Sequence, residues 1–122
     1  MTARILVVDD IPAIRRSMRL YLEQEADWVI CGKAENGKVA VDRVQELRPD
    51  VVILDLSMPV MNGLDAARAI KAIAPGTHIL MFTLHTYPYL LDEARKVGIE
   101  RVVSKAGSSG TELLQAVRTL VH

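Results

Sequence analysis

The chain has 122 residues, half of them hydrophobic, and its 15 basic and 15 acidic side chains cancel. That length builds one domain around a single core, and the charge balance leaves no electrostatic footprint for nucleic acid or an anionic membrane. No apolar run approaches the ~18 residues of a membrane span, and the start "MTARILVVDD" has no basic-then-apolar leader pattern, so a cytoplasmic protein is expected.

In chain order, "RILVV" reads as a first strand that runs into Asp9 and Asp10. A helix follows, with Ile11, Ile14, Met18, Tyr21 and Leu22 on one face and Pro12 suited to its first turn. "WVICG" is a second strand; it carries Cys31, the single cysteine, which has no partner for an internal disulfide and reads as a core residue. Asn36 caps a second helix bearing Ala40, Val44 and Leu47, closed by Pro49. "DVVILD" is a third strand ending on Asp55. A third helix runs from about Leu64 to Ile73 between "NG" and "PG". "HILMFT" is a fourth strand ending in Thr83, and a helix from about Pro88 presents Leu90, Ala94 and Val97 before Gly98 stops it. "RVVS" is a fifth strand leading to Lys105. The last helix starts at a capping box, Ser109 with Glu112, and shows Leu113, Ala116, Val117 and Leu120.

Most of these apolar runs are continuous, as expected of strands buried on both faces of a parallel sheet. Strict β-α alternation implies an α/β fold with right-handed crossovers and helices on both faces. Five such units make a small, doubly wound five-stranded parallel sheet. In flavodoxin-like order, 2-1-3-4-5, sites form outside the carboxyl ends of the strands, where strand order reverses.

What stands at those ends carries the chemistry. Asp is depleted in strands, and a single Asp after a strand is ordinary turn chemistry. Four of the five strands, however, end on reactive groups: Asp9 and Asp10, Asp55, Thr83, and Ser104 with Lys105. Converging carboxylates raise one another's pKa unless a cation joins them, and Lys105 alone is too little for three. Oxygen ligands without His or Cys favour Mg²⁺, with Mn²⁺ as its substitute, over zinc. Mg²⁺ takes one or two carboxylates and completes its shell with water and phosphate oxygens. The edge therefore looks built to bring a phosphoryl group to a carboxylate.

"ILVVDD", "VVILDLSMPVMNG", "HILMFT" and "VSKA", in this order and spacing, resemble the receiver domain of bacterial two-component response regulators over essentially the whole chain. The resemblance implies that Asp55 is the phospho-acceptor. It implies that Asp10 is a direct metal ligand, that Asp9 holds metal-bound water, and that the backbone carbonyl of Ser57 completes the protein's share of the coordination. Thr83 is then the hydroxyl that hydrogen-bonds the phosphoryl group, and Lys105 the lysine that pairs with it. The implied phospho-donor is a sensor histidine kinase, recognised mainly through the exposed face of the first helix. The implied output surface, for an output domain or effector protein, is the fourth helix, fifth strand and fifth helix. Such a chain is not an enzyme in the ordinary sense, because it turns over no separate substrate as its main role.

Residues 1–122 read as a single receiver domain with no output domain inside the chain. Two departures from the common family pattern stand out. Val102 occupies a position that usually holds Tyr or Phe, which puts aromatic switching in doubt. Ala106 replaces a frequent Pro, as in the branch with LuxR-type output domains. Rivals fit less well. A flavodoxin-like cofactor binder would not place "DDIPAIR" beside an anionic phosphate, and a phosphohydrolase of the haloacid dehalogenase type wants an Asp where Ser57 stands. A degenerate receiver that only binds a partner protein is the second reading.

Overall fold

The computed structural model describes residues 2–84, 87–106 and 110–121. Five strands alternate with five helices: β1 (Ala3–Val8), α1 (Pro12–Leu22), β2 (Trp28–Ala34), α2 (Gly37–Leu47), β3 (Val51–Leu54), α3 (Gly63–Ile73), β4 (His78–Thr83), α4 (Leu90–Lys96), β5 (Arg101–Ser104) and α5 (Thr111–Leu120). All strands pair in parallel, in the order β2-β1-β3-β4-β5, as the sequence predicts.

The continuous apolar runs divide by alternation once the sheet forms. Leu6, Val8, Val52, Leu54, Ile79 and Met81 face one way, into a core completed by Ala40 and Val44 of α2, Ala67 and Ile70 of α3, and Leu90 and Ala94 of α4. Ile5, Val7, Val51, Ile53 and Leu80 face the other way, onto Met18 and Leu22 of α1 and Leu113, Ala116 and Val117 of α5. Each fully buried aliphatic side chain contributes about 1.5–3 kcal/mol relative to exposure, which is why β3, buried at all four positions, tolerates polar groups at its end.

The expectation of two-sided burial holds for the central strands and fails at the edges. β2 and β5 are half-exposed. Cys31 is therefore only partly buried, and it falls at a bulge where Ile5 pairs with Ile30 but Leu6 with Gly32. Burial still pushes its thiol above the ordinary value, so it is a poor nucleophile.

Helix boundaries follow local chemistry. Asn36 accepts from Val39 N–H and Asn62 from Asp65 N–H, each at 2.9 Å, so α3 begins one residue before the expected Leu64. The fourth helix begins at Leu90 rather than near Pro88. It ends where Gly98, at φ +92°, lets Ile99 N–H reach back to Ala94 C=O at 2.9 Å. The proposed cap Ser109 lies outside the described residues; α5 starts after Gly110, which has φ +89°.

Candidate functional site

β1 and β3 are neighbours, so their carboxyl ends bring Asp9, Asp10 and Asp55 together. One carboxylate oxygen from each lies within 4.8 Å of the others. The sheet hydrogen bonds continue one residue past each strand: Asp9 N–H donates to Ala34 C=O at 3.1 Å, and Asp55 N–H to Val8 C=O at 3.2 Å. Both carboxylates are thereby held by the sheet itself. Asp10, one residue on, is exposed.

Asp9 is completely buried. One of its oxygens accepts Ile11 N–H at 2.9 Å, fixing the entry to α1, which has no cap of its own. The other lies 2.5 Å from the ammonium of Lys105, whose side chain is 8% exposed. Lys105 also reaches Asp55 Oδ2 at 3.4 Å, so the ammonium bridges the two buried acids. The resemblance implies a lysine that pairs with the phosphoryl group; among the carboxylates its shorter contact is with Asp9. Burial pushes the Asp9 carboxyl above the ordinary carboxylate range, and the nearby Asp55 charge adds to this, although Lys105 and Ile11 N–H both pull it down. A pocket with a surplus of carboxylates over cations, oxygen donors only and an acid held above its ordinary pKa suits a hard divalent cation.

Asp55 accepts Leu56 N–H at 2.8 Å on its other oxygen, which sets the carboxylate's rotation. Beyond it runs the β3–α3 loop, Leu56 to Asn62, closed by Gly63 N–H to Leu56 C=O at 2.8 Å. A Cβ on Gly63 would lie 2.2 Å from Asp55 C=O, so only glycine lets α3 start this close to the end of β3. Ser57 is in this loop and exposed. Val60, 77% exposed, is held at φ +70° in a three-residue turn closed by Met61 N–H to Pro59 C=O at 2.7 Å. Positive φ is a real outlier for a β-branched residue.

Thr83 is fully buried at the end of β4, and its carbonyl accepts Lys105 N–H at 3.0 Å. The neighbouring loop "TLHTYP" includes His85 and Thr86, which lie outside the described residues. Two contributors escaped the sequence reading. Arg15 donates to the Asp9 carbonyl from the next turn of α1, and the Phe82 ring stands 5.8 Å from the Lys105 ammonium, a cation–π distance. Only the sequence spacing of Arg15 from Asp9 hinted at the first; nothing local signalled the second. Val102 packs beside the core containing Leu90 and Ala94 as a partly buried strand residue.

A cavity of about 650 Å³ opens at the opposite edge of the sheet between Asp27, Trp28, Asp50, His78 and Arg118. Arg118 binds Glu25 there, Asp50 accepts Arg4 N–H at 2.8 Å, and His78 lies 2.9 Å from Glu100. The three converging carboxylates lie at the carboxyl edge instead.

A doubly wound sheet with an acidic pocket and a buried lysine at its switch point defines a class of α/β signalling domain. Residues 5–118 match the response regulator receiver domain, and the chain belongs to that family, the receiver domains of two-component systems. The transcriptional regulatory protein YdfI of Bacillus subtilis is 38% identical over 108 residues, spanning 88% of this chain and 50% of the relative. The chemotaxis protein CheY of Thermotoga maritima is 36% identical over 105 residues, 86% of this chain and 87% of the relative. The chain thus spans half the length of the first and most of the second. A LuxR-family two-component response regulator from Aurantimonas sp. SI85-9A1 superposes with a TM-score of 0.93 at 31% identity, over 99% of this chain and 86% of that one. Among the described residues, no helix is long and apolar enough to cross a membrane.

Proposed function

We propose that residues 1–122 form a single phospho-accepting receiver domain that works in the cytoplasm and receives its phosphoryl group from a sensor histidine kinase. The observation that carries this reading is the meeting of Asp9, Asp10 and Asp55 within 4.8 Å at the ends of two adjacent strands, with Lys105 bridging two of them. Asp55 is the nucleophile: a carboxylate is ionised at neutral pH and needs no general base. Its oxygen forms the bond to phosphorus as the phosphorus–nitrogen bond to the kinase histidine breaks, and the imidazole nitrogen keeps the electron pair.

Asp10, Asp55 and the Ser57 carbonyl would hold Mg²⁺, with Asp9 supporting it through water, and the bound ion would supply charge neutralisation for the transferring phosphoryl oxygens. Lys105 pairs with the phosphoryl group and the Thr83 hydroxyl donates to it. The consequence is read at the α4–β5–α5 face by an output domain or effector protein, where Tyr89 and Leu91 are exposed. The domain itself makes no nucleic-acid contact in this reading.

The test is incubation with acetyl phosphate and Mg²⁺, read by intact mass. The wild type should gain one phosphoryl group and Asp55→Asn none. Labelling that persists in the Asn variant would identify a different nucleophile, and no labelling of the wild type would favour the receiver that only binds a partner.

A further inference from the structure

The first helical residue of α2 is Gly37, an expensive choice, since glycine is a poor helix former and nothing in its backbone there demands positive φ. Its neighbours explain it. A Cβ at Gly37 would lie 2.5 Å from the Met61 carbonyl oxygen and 2.9 Å from Met61 Cβ and Cγ. The Gly37 N–H, one of the donors that a helix start leaves without an intrahelical partner, donates to that same carbonyl at 3.1 Å. Asn36 aims it there by capping the helix through Val39 N–H. Met61 belongs to the loop that carries Ser57, and it follows Val60, whose strained turn persists only if its surroundings hold it. Gly63 fixes the loop at its far end.

We infer that the start of α2 is a clamp for the phosphorylation loop, with Gly37 a positioning residue that sets the height of the β3–α3 loop over Asp55 through Met61. The inference rests on the proposed function, because its consequence is read in metal binding and phosphorylation. The obstructing atom is backbone, so an added methyl group cannot be accommodated by a side-chain rotation. To regain even a 3.0 Å contact the loop must retreat by about 0.5 Å, which is about the tolerance within which a functional constellation has to be held.

The experiment uses Gly37→Ala, with Gly32→Ala as the matched control. The control Cβ also meets a close contact, 2.6 Å, but with the flexible end of Leu47 and away from the loop. Gly37→Ala should weaken Mg²⁺ binding by about tenfold or more, as loss of an outer-sphere support does, and slow labelling by acetyl phosphate. Gly32→Ala should change only the melting temperature. In the wild type, amide hydrogen exchange at Gly37 should slow when Mg²⁺ and beryllofluoride are added, while exchange at Gly76 stays unchanged. A folded Gly37→Ala protein with wild-type Mg²⁺ affinity and labelling rate overturns the clamp. If that variant does not fold, an unchanged Gly37 exchange rate in the wild type overturns it equally. A wild type that takes no phosphoryl group at all overturns the proposed function, and this inference with it.

Discussion

Asp9→Asn should make the metal-free protein more stable at neutral pH. Asp9, Asp10 and Asp55 offer oxygens within 4.8 Å of one another, and at that distance each pair of full charges repels by about 3 kcal/mol at an effective dielectric constant near 20. Asp10 is exposed and counts for less. Against this stands the 2.5 Å contact of Asp9 with Lys105, whose attraction is offset by the several kcal/mol it costs to desolvate each ion. Removing one partner of a buried pair usually strands the other, but here Lys105 keeps Asp55 at 3.4 Å. The single Asn oxygen can keep one of the two contacts, Ile11 N–H or the ammonium, and the amide NH2 that faces the other donor takes back part of the gain. The balance is small, and its sign follows from the raised Asp9 carboxyl, which burial makes harder to ionise in the folded chain than in the unfolded one. A gain of about 1 kcal/mol, or roughly 4 °C in Tm, is expected. The pH dependence follows from the same sign. Below the ordinary value of 3.8 Asp9 is protonated in both states and the variant has no advantage. As pH rises through the raised folded value the wild type loses stability, so the gap opens above 3.8 and is complete once Asp9 is ionised in the fold. Thermal melts in EDTA at a series of pH values measure this. A variant that melts below the wild type at pH 7, or by the same margin at every pH, would show that the Lys105 pair outweighs desolvation.

Asp10→Ala should weaken Mg²⁺ binding and slow phosphorylation while the exposed position leaves apo stability within about 0.5 kcal/mol of wild type; titration calorimetry and melts check both, and a large loss of apo stability would make Asp10 a structural cap. Lys105→Ala should impair labelling or its conformational consequence more than Mg²⁺ affinity, compared by intact mass and calorimetry; the reverse pattern would sink its assigned role. Val60→Gly should stabilise the fold by about 0.5–1 kcal/mol in urea unfolding, since relief of roughly 1–3 kcal/mol of strain exceeds glycine's entropic cost and an exposed side chain gives up little packing.

The strand order and the meeting of the acidic residues were legible in the sequence because both depend on period and sequence position. Leu6 and Val8, or Val52 and Leu54, need only alternate to reach one core, and Asp9 and Asp55 need only follow adjacent parallel strands. What the sequence could not carry is the partner choice within the cluster. Whether the Lys105 ammonium meets Asp9 or Asp55 turns on about an ångström of side-chain reach, and no pattern encodes that. The edge position of β2 was implicit in the order 2-1-3-4-5, yet Cys31 was still read as core, because an apolar run does not reveal that one face and one edge of it are open. The start of α2 was legible from its Asn36 cap; the start of α3 drifted by one residue where the Asn62 cap went unread, and that of α4 drifted further, where no side chain caps the backbone.

The least favourable features of the molecule are concentrated between Asp9 and the Asp55–Gly63 segment. A buried carboxylate held above its ordinary pKa, a β-branched residue at positive φ and two glycines opening or adjoining helices all occur within one loop's reach. Local rules are broken where function demands it, and the cost is offset elsewhere. Here the offset is close at hand, because β1, β3 and β4 are the three central strands and carry much of the fully buried aliphatic surface. A carboxylate at the end of an edge strand such as β2, which is half-exposed, would lack that support. The site therefore stands where two adjacent central strands hold two acids rigidly and bring them close enough to need a cation.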